Sequence, residues 1–258
     1  MHMLNRITDQ QPRSQTTVLR PVANGFDNRT GLGQRVALVQ QFALFAGFSA
    51  ADCASIVSSA HERDFARRQT IFFEGDPMQQ IVLLTSGCVK VTQFGQNGSE
   101  VILRLSGPGE VLGSIEQCSR ASHCSTAQAL QTSRVLIWDA AVFESICERH
   151  PILRRNTARI LGDRLRELEE RFREISTEKV APRRSSQLVR LLNQVGRRVN
   201  GFVEISLSRE ELAQLTGTTL FTVSRLLSQW EQRGIVSARR EAVLVRDLPG
   251  LVELSQGD

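Results

Sequence analysis

The sequence lacks the features that would place the protein outside the cytoplasm. Its five cysteines are scattered and contain no Cys-x-x-Cys pair, so neither a disulfide framework nor a zinc site is indicated. The first residues, MHMLNRITDQQPRSQ, contain no apolar core of a signal peptide. The longest uncharged run, 36–51, is too short to span a bilayer. We therefore expect a cytoplasmic protein with no membrane partner.

The signatures of catalysis are missing as well. The chain has no phosphate-cradling loop, no paired-carboxylate signature and no nucleophile motif with its partners. The glycines of LSGPGEVLG separate short β segments and do not open a helix after a strand, so they do not form a dinucleotide fingerprint. We do not expect an enzyme and assign no catalytic residue.

Positive charge is concentrated in one part of the chain. Between residues 179 and 246 there are twelve cationic and five acidic side chains, a net charge of +7. Because the whole chain carries +5, the remainder is slightly acidic, at −2. A basic C-terminal third suggests a polyanionic partner, although a solvated arginine-rich surface is the alternative.

The pattern along the chain predicts several parts of different character. Residues 1–33 are polar and interrupted by proline and glycine, which indicates a flexible extension. Two short helices follow, with Ser49 as N-cap of the second. From residue 65 to 139, short apolar or alternating runs separated by glycine-rich turns predict a β sandwich or roll, with a hairpin at Asn97-Gly98. Residues 34–150 would form the domain that contains this β roll.

After Pro151 the apolar pattern becomes helical. The apolar residues in 151–178 recur at steps of four and three, which is the seam of a coiled coil. This pattern favours a dimerisation helix, while packing of the helix against its own β domain is the alternative for another face. Pro182 ends the helix, so a further domain would occupy 179–258. The seam consists of Leu161, Leu165, Leu168, Phe172 and Ile175.

The segment SLSREELAQLTGTTLFTVSRLLSQWEQRGIV divides into helix, turn and helix. Ser208 and Glu211 form a capping-box signature, and Gly217 suits the turn. The apolar positions of the second helix have i, i+3, i+4, i+7 spacing, so one face should be buried. Phe221 and Arg225 are one turn apart on the opposite face. The buried face would consist of Val223, Leu226, Leu227 and Trp230.

The outward face of the second helix of such a motif enters the major groove of DNA. The following segment, GIVSARREAVLVRD, predicts a two-stranded wing whose basic turn suits phosphate. We therefore expect binding to double-stranded DNA. The residues expected to take part are Ser208, Arg209, Thr218, Thr219, Leu220, Phe221, Thr222, Ser224, Arg225, Arg239 and Arg240.

The order of these parts resembles the Crp/Fnr family of bacterial transcription regulators over about residues 36–248. The most specific segments are IFFEGDPMQQIVLLTSGCVKV, EVILRLSGPGEVLG and REELAQLTGTTLFTVSRLL. The resemblance implies an α+β fold with an N-terminal β roll, or jelly roll, a long dimerisation helix and a C-terminal winged helix-turn-helix. It also implies a homodimer on a palindromic promoter site, an effector that controls the DNA-binding helices, and RNA polymerase as a partner.

In the recognition helix, the resemblance transfers residue by residue. Ser224 and Arg225 match the Ser-Arg pair of Fnr-like recognition helices, and Arg225 also matches a base-contacting arginine of the cyclic AMP receptor protein. Phe221 replaces a base-contacting glutamate of both branches, and Leu220 replaces an arginine. Because a phenylalanine cannot accept a hydrogen bond from cytosine N4, we expect a different operator half-site.

In the effector site, the resemblance is weaker. Family members that bind cyclic nucleotides use a Gly-Glu pair for the ribose and an Arg-Ser pair for the phosphate. Here these positions hold Gly113-Ser114 and His123-Cys124, followed by Ser125. A buried phosphate without its arginine loses a charge-assisted contact. We therefore do not expect cyclic AMP to bind in the manner of the family.

The cofactor is left open by the sequence. Residues 1–52 contain no cysteine, so an N-terminal Fnr-type iron–sulfur cluster is not expected. Cys118, His123 and Cys124 form the basis of an alternative, a redox switch or a site for a metal or haem iron, against the simpler interpretation of ordinary loop residues. A cyclic-nucleotide-type sensor module for a protein partner is the alternative from a different functional class.

Overall fold

The structure is a computed structural model. It describes residues 31–96, 98, 100–113, 122–177, 196–199, 202–216 and 218–256, except for a few side chains within these ranges. Residues 1–30 of the predicted extension therefore lie outside the described residues, as do Asn97, Ser114, Cys118, Pro182 and Gly217. None of the described helices is both long and apolar enough to cross a membrane.

The N-terminal part begins with helices. Helix α1 spans Leu32–Val39, so Leu32 and Gly33 belong to this helix and not to the predicted extension. A 3₁₀ turn, Ala43–Phe45, and helix α2, Ala50–Ser58, follow. The hydroxyl of Ser49 accepts a hydrogen bond from the backbone N–H of Asp52 at 3.1 Å, which confirms the predicted N-cap.

A β roll follows, made of two antiparallel sheets with the orders β1-β8-β3-β6 and β2-β7-β4-β5. Strands β4 and β5 pair across the turn that contains Gly98, as the sequence predicts. Apolar side chains from both sheets pack between them. The strands are β1 His61–Phe65, β2 Thr70–Phe72, β3 Gln80–Ser86, β4 Val89–Phe94, β5 Glu100–Ser106, β6 Val111–Leu112, β7 Thr126–Ala129 and β8 Ser133–Asp139.

The middle of strand β3, residues 81–84, is entirely apolar because both of its faces are covered. Val82 and Leu84 point into the roll, whereas Ile81 and Leu83 pack against the helices outside it. The outer layer includes helix α3, Ala140–Arg149, and the indole of Trp138 donates a hydrogen bond to a backbone carbonyl of α2. The continuous run IVLL therefore indicates burial on two sides and not a helix.

Helix α4, Pro151–Thr177, has two halves with different surroundings. In its first half Leu153 is fully buried, and the amide of Asn156 donates to the carbonyls of Leu44 and Ala46. The second half exposes apolar side chains of the predicted seam, with Phe172 73% exposed. The first half thus packs against its own domain, as the alternative interpretation required. Leu165 and Leu168 are exposed, Leu161 is partly buried, and the side chain of Ile175 lies outside the description.

The C-terminal part combines a small sheet with helices. Its four strands have the order β11-β12-β10-β9, so the predicted two-stranded wing, β11 and β12, continues a larger sheet. Strands β9 and β10 and the last helix have no counterpart among the predicted elements. The elements are β9 Arg197–Val199, β10 Phe202–Ile205, α5 Arg209–Thr216, α6 Leu220–Gln232, β11 Val236–Ala238, β12 Val243–Val245 and α7 Leu248–Gln256.

One apolar cluster spans the β roll and the C-terminal part. From the roll it takes Cys88, Ile102, Leu105 and Leu130, and from the other side the core of the helix-turn-helix. Helix α5 lies against strand β5. Burial raises the pKa of the Cys88 thiol to about 12, and this cysteine packs within the apolar cluster.

Candidate functional site

Helix α5 begins at the predicted capping box. The Ser208 hydroxyl accepts from the Glu211 N–H at 3.2 Å, and the Glu211 carboxylate accepts from the Ser208 N–H at 2.7 Å. These reciprocal bonds satisfy two backbone donors that would otherwise lack partners. Leu212, Ala213 and Leu215 then bury the inner face of the helix.

Helix α6 is fixed at its first turn in the same way. Thr219 is the N-cap, and its hydroxyl accepts from the Thr222 N–H at 3.2 Å. Before it, the Thr218 N–H donates to the Ala213 carbonyl at 3.0 Å, which connects the turn to the end of α5. The inner face is buried as predicted, through Val223, Leu226, Leu227 and Trp230.

The outward face of α6 combines apolar and cationic side chains. Phe221 is 75% exposed, Leu220 is 52% exposed, and Arg225 is exposed. Phe221 and Arg225 are separated by about 40° around the helix axis, so they form one column. Within the described part of the chain, Arg225 has no ion-pair partner. Thr222 and Ser224 flank the column and are partly buried.

The wing turn has a contact that the sequence did not predict. The Arg239 N–H donates to the Ala242 carbonyl at 2.8 Å and closes the turn, while the exposed Arg239 guanidinium lies 3.8 Å from Glu204. Glu241, which lies between Arg239 and Ala242 in the wing turn, pairs with Arg67 and Arg68 of the β1–β2 turn. The hydrogen bond from Arg67 and the charges of both arginines lower the pKa of Glu241.

A second polar contact joins the two parts of the chain beside the wing. Glu100 on β5 pairs with Lys90 at 2.9 Å and accepts a hydrogen bond from the Gln214 amide at 3.3 Å. Together with the Arg67 and Arg68 side chains, these groups border a cleft of about 230 Å³. The wing and α5 are therefore held against the roll of the same chain.

On the effector side, the structure places His123 in a confined position. His123 is buried, with only 7% of its surface exposed. Its ring stacks on Phe72 with 3.7 Å between the ring centroids. A Cβ added to Gly113 would lie 3.0 Å from His123 Nδ1, and this buried nitrogen has no hydrogen-bond partner among the residues that the structure describes. Burial lowers the pKa of the imidazole, and Asp76 opposes this effect.

The other predicted effector residues do not form one cluster in the described part of the chain. Ser125 is buried, whereas the Cys124 thiol is exposed. Ser114 and Cys118 lie outside the described residues, so the predicted Cys118–His123–Cys124 group stays a prediction. Across the described ranges, no group of three histidine, cysteine or acidic side chains is arranged to hold a metal ion.

Comparison with known proteins defines the class to which this fold and site belong. A family model described as "Cyclic nucleotide-binding domain" matches residues 62–150, and one described as "Crp-like helix-turn-helix domain" matches residues 185–254. The chain belongs to the Crp/Fnr family of bacterial transcription regulators. It is therefore a DNA-binding transcription regulator, and the predicted α+β architecture is confirmed.

Similar proteins extend over most of the chain. The "CRP-like cAMP-activated global transcriptional regulator" of Mycobacterium tuberculosis is 26% identical over 79% of this chain and 92% of its own length. The "Cyclic AMP receptor protein" of Thermus thermophilus is 29% identical over 83% of this chain and 97% of its own length. Among solved structures, FixK2 from Bradyrhizobium japonicum shares the fold, with a TM-score of 0.65 and 23% identity over 76% of this chain and 96% of that one.

Proposed function

We propose that the protein acts as a homodimer that binds a palindromic promoter site through the outward face of α6. The observation that carries this proposal is the arrangement of that helix: its inner face is fully used for packing, while Phe221 and Arg225 form an exposed column. An arginine can donate two hydrogen bonds to guanine O6 and N7. Arg225 has the exposure that such a contact requires.

Around this column, polar groups suit the phosphate backbone. The N-termini of α5 and α6 would offer backbone N–H groups to phosphate oxygens, as helix N-termini do. In the wing turn, Arg239 and Arg240 are exposed. The remaining residues of the proposed interface are Ser208, Arg209, Thr218, Thr219, Leu220, Thr222 and Ser224.

The proposed dimer contact is the exposed seam of α4. Leu165, Leu168 and Phe172 are each more than half exposed although they recur at coiled-coil spacing. A seam of this kind is covered when an identical helix packs against it, because each apolar side chain then fills a hole in the partner. Two copies joined in this way would present two copies of α6 to two half-sites.

The proposed effector site differs from that of cyclic-nucleotide-binding relatives. His123 stands where the resemblance puts the phosphate-binding arginine, and its lowered pKa leaves it without charge at neutral pH. Its ring is stacked on Phe72 and lies close to Gly113. A neutral, confined imidazole provides neither the charge nor the bidentate geometry that a cyclic phosphate requires. We infer that cyclic AMP is not bound in the manner of the family.

Two further elements complete the proposal. A regulator at a promoter acts on transcription through RNA polymerase, which is therefore the expected protein partner. The site of action is the cytoplasm, where the promoter DNA lies. Both expectations rest on membership in the family.

The proposal is tested by selecting binding sites from a pool of random duplex DNA, followed by affinity measurements at one fixed salt concentration. Arg225→Ala should weaken binding to the selected site at least thirtyfold, since each bidentate contact to guanine contributes about 1–3 kcal/mol and the dimer makes two. Arg233→Ala is the matched control, because Arg233 is exposed at the end of the same helix and carries the same charge.

Equal losses for the two variants would mean that Arg225 acts only through its charge. Failure to enrich any sequence would contradict the proposal as a whole.

The proposed absence of family-type cyclic AMP binding is tested separately, by thermal denaturation with cyclic AMP. A ligand at about a hundred times its dissociation constant stabilises the folded state by about 2.7 kcal/mol, so a clear rise in Tm would contradict our inference.

A further inference from the structure

Two large apolar side chains lie side by side where α6 begins, and neither contributes to the core. In the part of the chain that the structure describes, Phe221 is the most exposed of the large apolar side chains, at 75%. Leu220 precedes it. Other apolar side chains of α6 already form the buried face that packs the helix against the core. Packing within one subunit therefore does not explain why these positions are apolar.

Their place in the helix limits what they can contact. The N-terminal residues of a recognition helix are the ones that approach base edges in the major groove. Phe221 is the second residue of α6, and Arg225 is its neighbour one turn later in the same column. The cap at Thr219 fixes the direction of this first turn. If Arg225 contacts a base, Phe221 faces a neighbouring base pair.

The chemistry of the major groove then selects the target. Hydrogen-bond donors and acceptors line the base edges, and a phenyl ring satisfies none of them. The C5-methyl group of thymine is the one apolar group that a standard base pair presents there. Neither side chain carries a hydrogen-bond donor, so a contact with a phosphate oxygen does not account for them either.

We propose that Phe221, with Leu220 at its side, recognises the C5-methyl group of a thymine in each half-site. This inference rests on the proposed DNA-binding function and adds the base, the atom and the kind of contact. Burial of one methyl group changes an affinity about fourfold. Because a dimer contacts two well-separated half-sites, loss of both methyl groups should weaken binding by more than tenfold.

The test replaces thymine by deoxyuridine, which removes the methyl group and leaves every hydrogen-bonding group in place. Each thymine of the selected operator is replaced in turn, in both half-sites, and the Kd is measured by fluorescence anisotropy at constant salt. For the wild type, one position should show a loss of more than tenfold. For Phe221→Ala, the thymine and deoxyuridine duplexes should bind equally at that position.

Two controls isolate the contact. Phe94→Ala removes a phenylalanine that is also exposed but lies on the β roll, and it should keep the full wild-type response to deoxyuridine. Restoring the methyl group on a different base, with 5-methylcytosine compared against cytosine at the same position, should strengthen binding of the wild type and not of Phe221→Ala.

The outcomes separate the two levels of the proposal. If wild type and Phe221→Ala respond identically to deoxyuridine at every position, the methyl contact is wrong while DNA binding stands. If Phe221→Ala weakens binding equally to methylated and unmethylated duplexes, the phenyl ring acts otherwise and the proposal is also overturned. If the wild type selects no operator, the proposed function itself fails.

Discussion

The family resemblance predicts one substitution in each of two regions of this chain, and the two positions have opposite surroundings. On α6, it puts Phe221 in the place of an acidic residue, and Phe221 stands on the surface of a helix with a capped first turn and a buried inner face. On the effector side, it puts His123 in the place of an arginine, and His123 is buried, stacked on Phe72 and, among the described residues, without a hydrogen-bond partner at Nδ1.

The comparison shows that the surroundings of a substitution determine its consequence. A substitution at an exposed position of an unchanged helix alters which ligand is bound, because the helix still holds that residue at the same point of the interface. A buried replacement changes whether the former ligand can be bound at all, because both the charge and the space are lost. We therefore expect the family resemblance to be a better guide to the DNA-binding region than to the effector region.

The largest expected effect concerns α4, whose first half packs against its own domain and whose second half exposes the seam. Leu168→Glu should weaken dimerisation at least a hundredfold, because each buried leucine contributes about 1.5–3 kcal/mol and the dimer loses two. Specific DNA binding should fall with it, whereas the fold of the β roll should not change. Analytical ultracentrifugation, operator titrations and circular dichroism measure these three quantities.

Val142→Glu is the matched control, because it introduces the same charge at an exposed apolar position on α3, outside the seam. It should leave both dimerisation and DNA affinity at the wild-type level. A dimer of unchanged affinity in Leu168→Glu would show that another surface joins the subunits.

A smaller effect is expected at His123. Because burial lowers its pKa below the ordinary value of 6.5, the unfolded state binds more protons than the folded state in the range below pH 6.5. The free energy of unfolding of the wild type should therefore fall as the pH drops from 7 to 5. His123→Gln should lose less, as measured by urea denaturation across this range. Parallel curves for the two proteins would contradict the buried neutral imidazole.

The smallest effect concerns the ion pairs between the wing turn and the β roll. Glu241→Gln removes the carboxylate that pairs with Arg67 and Arg68, and exposed ion pairs contribute little and are screened by salt. We expect a slight decrease in Tm at low salt that disappears at high salt. In a double-mutant cycle with Arg67→Gln, the two changes should be non-additive. Additive losses at low salt would mean that the pair contributes no coupling.

Features determined by neighbouring residues were predictable from the sequence. The capping box at Ser208 and Glu211, the N-cap at Ser49 and the inner face of α6 depend on spacings of three or four residues, which a sequence shows directly. The exposure of Phe221 follows from the same periodicity, because the remaining positions of the helix already complete a buried face.

Features that depend on distant residues were not predictable. The stacking of His123 on Phe72 joins positions about fifty residues apart in the chain, and the pairing of Glu241 with Arg67 joins two separate parts of the fold. No local pattern specifies which strands become neighbours. Strand β10, with a partly exposed FVEI sequence, was missed because its pattern is short and its partners, β9 and β12, lie on either side of the helix-turn-helix in the sequence.

The central claim is that an intact recognition helix with a phenylalanine at position 221 selects its own half-site. The most direct measurement is selection from random duplex DNA with the wild type and with Phe221→Glu, using Phe94→Glu as the control for the added charge. We predict that Phe221→Glu changes the preferred base pair facing residue 221 and keeps the guanine contacted by Arg225, while Phe94→Glu selects the wild-type half-site. The same half-site for the wild type and Phe221→Glu would contradict the account.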